Sequence, residues 1–216
     1  MSDPRTTHRS LWLLMQDFLQ TLAMLFGAPE DVAARDTLVH KEWAQMAMWV
    51  RAGEALMRQL LLIAAAALPK PNLRPILWVK RARKRRLVHF YPDAPQDWRV
   101  SFRCFVDGVR KPRNKSVAPK PRKPRVSRED RWSYERFKAV RFHSAWPLAE
   151  RMEALIRVFN DPAPYAKRLA RRLYARPERA APMLKVAPAL TPLVGEESFA
   201  TTRTAALAAL RVFDTS

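Results

Sequence analysis

One cysteine, Cys104, and four glycines in 216 residues exclude several kinds of protein at once. A single thiol allows no intrachain disulfide and no cysteine-based zinc site, which fits a reducing compartment. Burial as a small hydrophobe is the ordinary role of such a residue. With only Gly27, Gly53, Gly108 and Gly195, few positions are free to take positive φ, so tight hairpins and phosphate-cradling loops are not expected. Long apolar runs are also lacking. Residues 11–26 (LWLLMQDFLQTLAMLF) are interrupted by Gln16, Asp17 and Gln20, and residues 59–68 stop at Pro69 after about half a bilayer span. Neither reads as a transmembrane helix, and no small-residue cleavage site follows the first. A cytoplasmic location is the resulting expectation.

Catalytic signatures are missing as well. The four histidines, His8, His40, His89 and His143, stand far apart, and there is no HExxH, phosphate-binding loop, GxSxG or dinucleotide fingerprint. The sequence therefore predicts no catalytic residues, no metal site and no cofactor. An enzyme would have to assemble its site from distant residues.

Positive charge is abundant and local. Residues 70–143 hold 23 Lys or Arg against 6 Asp or Glu, about +17 of the whole chain's +20. A block of one sign repels itself unless an anion or acidic surface lies beside it. Its densest part is KRARKRR at 80–86: Lys80, Arg81, Arg83, Lys84, Arg85 and Arg86. Arg99 and Arg103 follow on one side of an alternating run. A Pro-spaced arm then carries Arg110, Lys111, Arg113, Lys120, Arg122, Lys123 and Arg125. Such residues neutralise phosphates by displacing condensed counterions, and extended basic arms can follow a groove. These fifteen residues are the candidate nucleic-acid or anion-binding set. Two further features carry alternative readings. Aromatic residues from Trp132 to Trp146 interleave with basic ones, a pattern that suits base stacking but more often docks a helix on a core. Lys167, Arg168, Arg171, Arg172 and Arg176 share one helix face, which a solvated surface explains equally well.

Periodicity predicts a mainly α protein. Leu11, Met15, Phe18, Leu22 and Leu25 mark a first helix ended by Gly27. Val39, Trp43, Met46, Val50, Gly53, Met57, Leu60, Ala64 and Ala67 mark a second, about 31 residues or roughly 46 Å long, capped by Asp36 or Thr37 and stopped by Pro69. Additional apolar residues widen its stripe beyond a two-stranded seam, so a helical bundle is preferred to a coiled coil, with a homodimer through 37–68 as the alternative. A small antiparallel hairpin or sheet is expected at 76–79, 87–91 and 98–106, where Trp98, Val100, Phe102, Cys104 and Val106 alternate with polar residues. Residues 109–127 read as a disordered, basic, Pro-rich linker. Helices resume with a stripe at Leu148, Met152, Leu155 and Phe159, another ending near Ala175, and a final one over 196–213. The expected regions are 1–69 helical, 70–108 basic with the hairpin, 109–127 linker and 128–216 helical, the outer two able to form one bundle.

Two functions follow. The first is a non-enzymatic protein that binds nucleic acid non-specifically through phosphate contacts. The second is an interaction module using the long helix, with the basic block meeting an acidic partner or an anionic membrane surface.

Overall fold

The computed structural model describes residues 9–71, 91–105, 141–184, 193 and 195–214. Among them are six helices and one two-stranded sheet: α1 (Arg9–Phe26), α2 (Pro29–Ala34), β1 (Thr37–Val39), α3 (His40–Ala66), β2 (Phe142–Ser144), α4 (Trp146–Asn160), α5 (Ala163–Ala175) and α6 (Glu196–Asp214). The bundle that the apolar spacing predicts is present. The expected segment at 76–79, the expected segment at 87–91 except Tyr91, which is not strand, and the linker at 109–127 lie outside the described residues.

The long helix α3 is the spine. Its buried side includes Met46, Val50, Gly53, Met57, Leu60 and Ala64 from the predicted stripe. Leu56, Leu61, Leu62 and Ile63 are buried too, so the helix is enclosed on most sides. It packs chiefly against α6 and α5, then α1 and α4. Gly53 allows the closest approach: a Cβ there would lie 2.7 Å from Phe18 Cε1 and 3.3 Å from Leu155 Cδ1. Because the stripe is used inside one chain, a homodimer through 37–68 would have to use the remaining exposed positions, among them Met48 and Arg51.

Several boundaries differ from those predicted. Gly27 does end α1, at φ +90° with its N–H on Ala23 O, and Pro29 then opens a short helix, α2, that the spacing did not predict. Residues 37–39 are strand, so α3 starts at His40 and has 27 residues. Neither Asp36 nor Thr37 caps it; Val39 is its extended N-cap residue. Asp36 takes φ +51° and accepts a bond from Ala145 N at 2.9 Å. That turn lets β1 pair antiparallel with β2, matching Leu38 with His143. A tertiary ladder across a hundred residues thus displaces the first turn of a helix that local spacing favours. The junction is reinforced by side chains. A hydrogen bond of 2.8 Å joins His40 Nδ1 to His143 Nε2, and Trp43 stacks on the His143 ring at 4.7 Å. Asp161 is the C-cap residue of α4, and Pro162 is the N-cap residue of α5.

The predicted strand at 98–106 is also corrected. Residues 98–105 form no strand. Burial nonetheless alternates as expected from Trp98 to Cys104, because a chain docked on helices needs no ladder to point alternate side chains inward. Trp98 anchors the segment. It is buried against Trp146 at 4.8 Å between centroids, and its Nε1 donates to Tyr91 O at 2.7 Å. Arg157, ion-paired with Glu153 at 2.6 Å, donates to the carbonyls of Pro95 and Gln96 and fixes the turn before it.

Candidate anion-binding cleft

The docked segment 98–105 forms one wall of a cleft of about 620 Å³; α3 and α4 form the others. At its base Glu54 is held between two arginines. Arg151 donates Nε to Oε1 at 2.7 Å and a terminal nitrogen to Oε2 at 2.9 Å. Arg58 donates to Oε2 at 3.0 Å. The two-pronged geometry from Arg151 fixes the carboxylate as well as neutralising it. Arg58 also reaches Arg103 O at 3.4 Å, linking α3 to the docked segment. Burial pushes the Arg58 pKa down from its ordinary value, and Glu54 opposes that shift.

Nearer solvent the cleft is lined by Arg99, Ser101, Phe102, Arg103, Phe105 and Glu150. Arg99 and Arg103 are exposed while Phe102 and Phe105 are half-buried. Beyond Phe105 lie more cations. Arg172 of α5 and Arg179 of the following turn stand 5.8 and 5.7 Å from the Phe105 ring centroid. The neighbouring Cys104 thiol senses Arg172, Arg168 and Arg58, but burial dominates and raises its pKa. Arg58, Arg168, Arg172 and Arg179 thus converge on Phe105 and Cys104, while Arg99, Arg103 and Arg151 line the cleft beside them.

Of the fifteen candidate residues, only Arg99 and Arg103 are among those described, and both are at this cleft. Lys80, Arg81, Arg83, Lys84, Arg85, Arg86, Arg110, Lys111, Arg113, Lys120, Arg122, Lys123 and Arg125 lie outside the described residues. Sequence reasoning singled out Arg168 and Arg172 as part of a helix face, without joining them to the segment 98–105. It missed Arg151 and Arg179. No spacing rule connects Arg151 to Glu54, 97 positions away; only packing of α4 on α3 does so. Of the aromatic run, Trp146 packs on Trp98 and His143 on Trp43, which is the core-docking reading, whereas Phe142 is 63% exposed.

No group of three or more metal-binding side chains occurs among the described residues. Comparison with protein-family models, curated proteins and solved structures found no match to this chain.

Proposed function

We propose that this protein binds nucleic acid through its phosphate backbone, without catalysis and with little base readout. The observation that carries this reading is the convergence of arginines from distant segments on Phe105 and Cys104, beside a chain segment flanked in sequence by KRARKRR and the Pro-spaced arm. Folding that gathers like charge costs electrostatic energy unless an anion relieves it. Glu54 compensates two of the arginines, and Glu150 is the other carboxylate lining the cleft. Such a protein would work where nucleic acid is found, the cytoplasm being the simplest location.

Salt dependence tests the proposal. If about 6–10 phosphates are contacted, affinity falls roughly 10³–10⁵-fold between 50 and 200 mM salt. Replacing Arg99, Arg172 and Arg179 with Ala should reduce the slope of log K against log salt by about 0.7–0.9 for each phosphate that is no longer neutralised. Fluorescence anisotropy with a labelled oligonucleotide measures both quantities. Affinity that is flat across this range excludes the phosphate reading.

A second reading, peripheral membrane contact, is favoured by α1. Residues 9–34 are long and apolar enough to cross a membrane by length and composition, although Gly27 divides them into two helices. Met24 is 80%, Leu25 51% and Leu13 50% exposed. The only basic residue of α1 is Arg9, so binding by this face would be hydrophobic. Liposome flotation that is indifferent to the anionic lipid fraction supports this version; no flotation removes it.

A further inference from the structure

We propose that the cleft between α3, α4 and residues 98–105 takes one unpaired base of a single strand, so that the protein prefers single-stranded nucleic acid to duplex. The inference rests on the nucleic-acid reading above and specifies its substrate.

The cleft has a polarity that decides which part of a nucleotide goes where. At its base is the carboxylate of Glu54. Glu54 is held by Arg58 and Arg151, each of which places two of its three nitrogens in hydrogen bonds. A phosphate pushed inward would have to compete with the Glu54 oxygens for the two guanidinium groups that hold them. The exposed Arg99 lies at the solvent side and suits a phosphate there. Between the two regions Phe102 lines the space with a half-buried ring. The neighbouring Phe105 has Arg172 and Arg179 against its ring, so Phe102 is the better stacking surface. An apolar ring flanked by arginines, with a clamped carboxylate behind it, fits a neutral base inside and its phosphate outside. A volume of about 620 Å³ accommodates one nucleotide and is within the ordinary range of small-ligand sites. A paired base keeps its faces in the helical stack and cannot lie on Phe102; an unpaired one can.

The prediction opposes the purely electrostatic expectation. Duplex has the higher charge density and the steeper counterion release, so an unstructured basic surface should bind duplex at least as well. The experiment measures anisotropy of the full chain with a 20-nucleotide single strand and with the duplex of the same sequence, at 50 and 200 mM salt. The expected result is single-strand affinity about 10-fold above duplex at equal salt, from base stacking. Phe102→Leu keeps an apolar side chain but removes the π face. It should lower single-strand affinity about 5- to 100-fold and leave duplex affinity within about two-fold. Phe102→Trp should retain the preference. Equal or weaker single-strand binding by the unaltered chain overturns the inference, as does a Phe102→Leu protein that keeps its preference. If Phe102→Leu melts, loss of the preference in a folded Phe102→Trp protein also overturns it. No binding of either nucleic acid at 50 mM salt would instead defeat the broader nucleic-acid reading.

Discussion

Gln59 lies fully buried in α3, and neither of its amide atoms has a hydrogen-bond partner among the described residues. A buried amide left unpaired costs about 1–3 kcal/mol of desolvation. Methionine has nearly the same shape and no such penalty, so Gln59→Met should raise stability by about 1–2 kcal/mol and the melting temperature by roughly 2–8 °C. A thermal melt checks this; a lower melting temperature means that the amide has a partner in the full chain. Gly53 gives the opposite sign. Alanine gains about 1 kcal/mol of helix propensity, but its Cβ would stand 2.7 Å from the buried Phe18 ring. Overpacking of that kind costs about 1–3 kcal/mol, so Gly53→Ala should be mildly destabilising and Gly53→Val clearly so. Cys104 is a third case. Its folded pKa is raised, chiefly by burial. The unfolded thiol therefore ionises first as pH rises. The stability it contributes is complete below the unfolded pKa and is lost as pH rises through the folded value. Iodoacetamide at pH 8 should react more slowly with the native chain than with the chain in denaturant.

At the scale of elements, the legible parts are those whose periodicity coincides with packing. α1, α3 and α4 carry apolar residues every three or four positions, and most of those residues are buried in the bundle, while Leu25, Val39 and Ala67 at the ends of α1 and α3 are exposed. The pairing of β1 with β2 was not legible, because three residues are too few to show a period and their partner is a hundred positions away. The alternation at 98–104 was visible and its burial is real, but periodicity reports which side chains turn inward, not what the backbone bonds to. The same limit applies to the cleft. Arg99 and Arg103 stood out by type and spacing, whereas the Glu54 clamp required three-dimensional packing of α4 on α3. That clamp has a testable strength. Glu54→Gln leaves Arg58 and Arg151 side by side, partly buried and without their shared carboxylate. Removing one partner from such a cluster should cost roughly 2–3 kcal/mol, somewhat less than in a fully buried site. Urea unfolding measures it, and a change below about 0.5 kcal/mol would mean that solvent already screens the pair.

At the scale of the whole molecule, the separation of a charge-balanced scaffold from a basic middle corresponds to one core with basic segments inserted into it. The core cluster includes Met15 and Leu60 from the first third of the chain and Leu155, Leu173, Ala206 and Phe213 from the last. α3 packs most extensively on α6, the last helix described. α6 covers the spine with the buried side chains of Phe199, Thr202, Ala206 and Phe213, and Phe213 also meets Tyr174 of α5 edge-on at 5.0 Å. A chain ending at residue 194 would expose the matching face of α3. Loss of each buried phenylalanine alone costs about 3–5 kcal/mol, and two of them approach or exceed the 5–15 kcal/mol that holds a typical domain together. The truncated chain should show no cooperative thermal transition by near-ultraviolet circular dichroism, whereas the full chain should melt in one step. Cooperative melting of the 1–194 chain within a few degrees of the full one would mean that α6 is an accessory to the core.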